Sequence, residues 1–219
     1  MLRKLIVLVP LIFIFLQTQA QRKWKDKYYD ELQTENFRDF KAFNRPIDLK
    51  KPDYQLINAA VYFVSNEARL EHGVNPLGYQ ENLEIMAWNH SVSMAKDAFF
   101  DHINPKSKKR QKIGQRADLA GIKNPQVSEN ITAIGGVVYA TYLDLADAIV
   151  DNWINPPPHR KALYSVDALE LGCGVYYFDG NWQRNKKIKK QGVGFWPATQ
   201  NFQLFTKVET KSSKDKRPN

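Results

Sequence analysis

The stretch Trp153-Ile154-Asn155-Pro156-Pro157-Pro158-His159-Arg160 divides the chain into two kinds of sequence. Before it, Tyr142, Leu145, Ile149 and Trp153 recur at helical spacing, and three consecutive prolines end that helix, because each fixes φ and removes a backbone donor. After it the chain turns aromatic and β-branched: LGCGVYYF (171–178) and GVGFWPATQNFQLF (192–205) read as strands. Asp179-Gly180-Asn181 is a hairpin signal between them, lengthened by a lysine-rich stretch. Upstream, Pro52-Asp53 starts a helix carrying Leu56, Ile57, Ala60, Val61, Val64 and Ala68, which Gly73 ends; Leu83, Met86, Ala87, His90, Met94 and Ala98 mark a second. Helices first and strands last, without βαβ alternation, predict an α+β fold with an antiparallel sheet. Leu56, Val61, Val64, Leu83, Ala87, Ile149, Trp153 and Val175 are expected in one core.

The ends of the chain differ from its middle. Residues 1–20 run from Arg3-Lys4 through the apolar Leu5–Leu16 to Gln19-Ala20, the order of a cleavable signal peptide. The mature chain is therefore expected to begin at Gln21 and to be secreted or periplasmic. No cysteine follows the apolar run, which argues against a lipoprotein anchor. The formal net charge is +9, and removing Arg3 and Lys4 leaves +7. The excess gathers in 22–25, 106–112, 184–190 and 207–217. With export and no aromatic-interleaved basic motif, nucleic acid is not expected as a partner; solvated loops or contact with anionic envelope components remain. Residues 21–52 read as a polar N-terminal extension, 53–206 as one domain, and 207–219 as a basic disordered tail. The single cysteine, Cys173, precludes an intrachain disulfide, and its place between two glycines in an apolar run reads as a buried, inert thiol.

The chain contains no HExxH, CxxC, GxSxG or phosphate-cradling glycine loop. Histidine is scarce, with four in all. His90 falls on an apolar helical stripe and reads as a core residue, and His72 stands at a helix C-terminus. His102, in Phe99-Phe100-Asp101-His102, and His159, after the prolines, both stand where a helix ends, and Glu129 lies between them in sequence with apolar neighbours Ile131 and Ile134. Two imidazoles and a carboxylate belong to the class of zinc or acid–base sites, so His102, His159 and Glu129 are the candidate catalytic and metal-ligating residues. Arg160 is expected to bond helix-end carbonyls.

Taken in order, these stretches resemble the CAP superfamily, the domain of cysteine-rich secretory proteins, antigen 5 and plant pathogenesis-related proteins, in its disulfide-free bacterial form. The resemblance is carried by Asn66-Glu67-Ala68-Arg69, His72-Gly73-Val74-Asn75-Pro76-Leu77, Phe100-Asp101-His102, Arg116 with Ala120-Gly121, Glu129-Asn130-Ile131, 153–160, Leu171-Gly172-Cys173-Gly174-Val175 and Thr199-Gln200-Asn201-Phe202. It implies an α-β-α sandwich with a central antiparallel sheet flanked by helices, and a cleft lined by two histidines and two acids. His102, Glu129 and His159 match three of those positions; the fourth falls near Pro156, which puts two-carboxylate chemistry in doubt.

Three functions follow as expectations. The first is an exported, monomeric binding module whose cleft takes zinc or another divalent metal, with no organic cofactor. The second is a metal-assisted hydrolase of peptide or glycan with Glu129 as base. The third is a lipid or sterol carrier. Lipid, glycan or another protein are the corresponding partners. A carboxylate consumed as a ligand cannot easily serve as base, which weighs against the enzyme.

Overall fold

The computed structural model describes residues 24–180 and 194–219. The signal segment 1–20, the basic run 184–190 and the far half of the hairpin connection lie outside the described residues.

A one-turn helix α1 (Tyr28–Glu31) and a 3₁₀ turn at Phe37–Asp39 precede the long helix α2 (Tyr54–Glu71). Asp53 caps α2 by accepting from the Leu56 amide at 3.1 Å, and Gly73, at φ +80°, ends it in the left-handed region. The two-residue strand β1 (Gly78–Tyr79) leads into α3 (Glu81–Lys96), which is followed by α4 (Ile113–Leu119) and β2 (Val127–Gly135). Helix α5 (Tyr142–Ile154) opens on a Thr141–Asp144 capping box. Then come α6 (Pro157–Leu163), β3 (Ala168–Val175) and β4 (Phe195–Leu204).

The sheet order is β1-β3-β4-β2. The three long strands are antiparallel, as expected, but β1 pairs parallel with β3, so the sheet is mixed. Only Gly78 and Tyr79 take part in that pairing before α3 begins, which is too short a segment for periodicity to reveal. Alternate residues of β3 serve opposite layers. Leu171, Cys173 and Val175 join the core made with α2 and α5, whereas Gly172 and Gly174 face α3. A Cβ at either glycine would collide with the α3 backbone, at Leu83 and Glu84 or at Ala87 and Trp88. The two glycines therefore allow a helix to lie directly on the sheet.

All eight residues expected in the core are buried. Leu83, however, belongs to a second cluster with Met86, Ala117, Ala120 and Ile122, closed by the unanticipated helix α4. The prolines also act differently from expectation. Pro157 and Pro158 occupy the first two positions of α6, where the missing amides cost no helical hydrogen bond, so His159 lies inside a helix. The C-terminal carbonyls of α6 are held by Arg69, not by Arg160. The buried Arg69 donates to the carbonyls of Asn75, Leu163 and Ser165 at 2.6–3.0 Å.

Both flanking segments are integral. Trp24, Tyr28, Tyr29, Phe37 and Phe43 of the extension are buried around Phe63 of α2. The tail 207–219, expected to be disordered, is laid along α4 and α3. Lys211 and Lys214 amides donate to the carbonyls of Gly121 and Leu119, each at 2.8 Å, and Asp215 forms a two-pronged ion pair with Arg110. Arg217 reaches the fully buried Glu84 at 2.9 Å and also pairs with Asp26 of the extension. Composition suggested disorder because the tail is polar, yet its charges meet partners far away in sequence. Burial pushes the Glu84 carboxyl up, and Arg217, Asn58 and Tyr79 pull against it. Breaking a buried ion pair by deleting one partner costs roughly 3–5 kcal/mol, so Arg217→Ala is expected to lower stability by about that amount in urea denaturation. A loss below about 1 kcal/mol would show the latch to be superficial.

Candidate functional site

Strand β2 carries Glu129 opposite Asn201 of β4, and the Glu129 side chain is only 2 % exposed. A carboxylate in such a place must be neutralised, and α4 supplies the cation. The α4 residue Arg116, itself buried, donates from Nη2 to both Glu129 oxygens at 2.8 Å. Its Nη1 bonds the carbonyl of His102 at 2.9 Å and those of Arg110 and Gln111 at 3.3 Å. Arg116 thus fixes the carboxylate and the backbone of the loop leading to α4 at once.

His102 completes the cluster, its Nδ1 lying 2.9 Å from Glu129 Oε1. Against an ionised carboxylate that nitrogen carries a proton and donates, and the side chain is 51 % exposed. Burial alone would push the Glu129 carboxyl up, but His102, His90 and Arg116 outweigh it and hold the group below the usual carboxylate range. Turning the Asn201 amide adds a donor at 3.3 Å from Glu129 Oε2 and lets its oxygen accept from the Ala87 amide.

His90, expected in the core, is fully buried on α3 and donates from Nε2 to the Asp101 carbonyl at 3.1 Å. It stands 3.8 Å from Glu129, yet its pKa falls to about 4. Desolvation dominates, and Arg116 counters the attraction of Glu129. His90 is therefore a neutral support for the loop bearing His102.

His159 joins the site through β2. The Asn130 amide donates to the His159 carbonyl at 3.0 Å and to Gln200 at 3.2 Å, and Gln200 in turn donates to Ser65 of α2 at 2.6 Å. Burial, and less so the neighbouring His102, push the His159 imidazole down, while a contact with the Asn152 backbone pulls it up. His159 thus stands near His102 at one end of β2, and Glu129 stands behind His102. Cys173 is buried, and its thiol is pushed well up, as befits an inert core group.

A three-ligand metal centre does not fit this donor set. Both Glu129 oxygens are engaged by Arg116, one of them also by His102, and among the described residues no group of three or more His, Cys, Asp or Glu side chains is placed to hold a metal ion. Sequence reasoning missed Arg116 as a site residue. Its only signal was its presence in the matching series, because nothing local to α4 shows which carboxylate it meets.

Residues 63–196 match the cysteine-rich secretory protein family, CAP. The chain belongs to the CAP family. Over 112 residues it is 31 % identical to the uncharacterized membrane protein YlbC of Bacillus subtilis, covering 51 % of this chain and 29 % of that protein. The solved structure of an extracellular protein containing a SCP domain from Bacillus anthracis superposes with a TM-score of 0.50 at 22 % identity, over 70 % of this chain and 42 % of that one. The CAP domain of enterococcal PrgA gives 0.47 at 14 % identity, over 88 % and 84 %. The chain thus spans less than half of the first two proteins. As in the CAP resemblance, helices flank the sheet, and Pro156 stands where a second acid was expected.

Two outcomes test the CAP site's electrostatics. Glu129→Gln strands the buried Arg116 charge and is expected to cost roughly 3–5 kcal/mol in urea denaturation at pH 7; a change near zero would mean that the carboxylate is not the counter-ion. His90 titrates near 6.5 when unfolded and about 4 when folded. Stability is therefore full above pH 6.5 and falls as the pH drops towards 4, by roughly 3 kcal/mol from this group. His90→Gln should flatten that part of the stability profile, and a slope identical to wild type would refute the assignment.

Proposed function

We propose that this chain is an exported CAP-domain binding module whose cleft, between His102 and His159, takes a polar ligand without catalysing its cleavage. The single observation that carries this reading is the bidentate Arg116–Glu129 pair. A general base needs a free lone pair and a pKa near the working pH. Glu129 has neither; it serves to orient His102, whose outward Nε2 accepts from a ligand hydroxyl or amide. Export is supported by the leader-like residues 1–20 and by the extracellular SCP-domain protein among the similar structures. The similarity to a membrane protein is compatible with a place at the envelope, and no described helix is long and apolar enough to cross a membrane.

Divalent metal is the second reading, because a carboxylate behind an imidazole is the usual support of a ligating histidine. Only His102 and His159 would hold the ion, fewer than the three protein ligands of a catalytic zinc site. Native mass spectrometry of the mature protein, wild type and His102→Ala/His159→Ala, separates the readings. The expected result is a ligand adduct in the wild type alone and no stoichiometric zinc after zinc addition. A one-to-one zinc adduct lost in the double variant would replace the proposal with the metal reading. Identical adducts in both proteins would remove the cleft from consideration.

A further inference from the structure

In helix α6 the His159 carbonyl is tied to β2 through Asn130, whereas Pro157, Arg160, Lys161 and Tyr164 recur at helical spacing along one face. That face forms a wall of a separate surface groove of about 500 Å³, closed by His72 from the end of α2 and by the turn Ser165–Asp167. The His72 and Tyr164 rings are stacked, with centroids 3.9 Å apart and planes 10° from parallel. His72, Arg160, Lys161 and Asp167 are exposed, and Val166 is 78 % exposed.

The neighbouring turn adds an independent sign of interaction. Phe205 sits at φ +61°, a conformation that bulky residues rarely hold, and the residue is 61 % exposed. Its amide donates to the Asp167 carbonyl at 2.8 Å, and the Thr206 amide closes a three-residue turn onto Leu204 at 2.7 Å. Strain of this kind persists where the surrounding structure imposes it, and such positions gather at binding sites. Here it holds an exposed aromatic residue against Asp167, the neighbour in sequence of the exposed Val166. Exposed apolar groups rimmed by charge mark an interaction surface.

We propose that this groove binds an acidic saccharide, at a site distinct from the His102–His159 cleft. Each part of the lining answers to one part of that ligand. The stacked His72–Tyr164 pair and Val166 offer a flat, weakly polar platform for the C–H face of a sugar ring. Arg160 and Lys161 pair with its carboxylate by charge-assisted hydrogen bonds. Asp167 accepts from ring hydroxyls. A bare inorganic anion would leave the platform unused, and a flat anionic membrane would meet the Asp167 charge.

Fluorescence anisotropy with a labelled oligogalacturonate tests the assignment on the mature full chain, with circular dichroism melting to check each variant's fold. Arg160→Gln/Lys161→Gln is expected to weaken binding about tenfold or more, and His72→Ala to weaken it severalfold. Lys106→Gln/Lys108→Gln, which removes the same charge from an exposed loop elsewhere, should change it by less than about twofold. His102→Ala/His159→Ala should bind as wild type does, so failure here is distinguishable from failure of the cleft reading. No binding, equal loss from both lysine-containing pairs, equal affinity for an uncharged maltooligosaccharide, or full competition by equimolar inorganic phosphate would each overturn the proposal.

Discussion

The buried pair of Arg116 and Glu129 is the constraint around which the site is arranged. A carboxylate buried on the edge strand β2 cannot remain charged without a partner that replaces its lost hydration. Arg116 meets that demand from α4, and its Nη1 ties down the carbonyls of His102, Arg110 and Gln111. One guanidinium therefore sets the carboxylate, the loop and the exposed imidazole together. It also opposes the pull of Glu129 on His90, whose imidazole burial already keeps neutral.

The rest of the molecule delivers these groups to one place. Gly172 and Gly174 let α3 lie on the sheet closely enough for His90 and Asn201 to share a neighbourhood with Glu129. A line of buried hydrogen bonds from Ser65 through Gln200 and Asn130 to the His159 carbonyl links α2, β4, β2 and α6. A network whose members are all satisfied specifies one arrangement more sharply than apolar contact does. The extension and the tail contribute to the same rigidity, since Arg217 joins Asp26 and Glu84 across the two ends of the chain.

This rigidity bears on function. In an acid–base enzyme, a carboxylate poised for proton transfer is kept from full neutralisation. Here both oxygens of the carboxylate are taken up by Arg116, and the exposed group beside it is the His102 imidazole. Helix α6 carries His159, whose carbonyl is tied to β2, and sets Arg160 and Lys161 along the groove beside His72. The helix is thereby the element common to the two sites proposed here.

Much of the fold was legible along the chain. Asp53, Gly73 and the apolar repeats of α2, α3 and α5 act through neighbours three or four residues away, so their helices follow from local rules. The alternating strands and the pairing of Gly172 with Gly174 around Cys173 are likewise local patterns. His102, Glu129 and His159 could be nominated because few other residues carry such chemistry and because their order resembled CAP sequences. What local rules could not reach was decided by tertiary structure. The parallel β1 contact involves two residues, α4 has little periodicity of its own, and the tail is ordered by ion pairs to Arg110, Glu84 and Asp26. Above all, whether Glu129 acts as ligand, base or counter-ion depends on which cation shares its burial. That cation, Arg116, is chosen by the packing of α4 against β2, and a charge buried in low dielectric is governed by its nearest partner in space rather than by its neighbours in sequence.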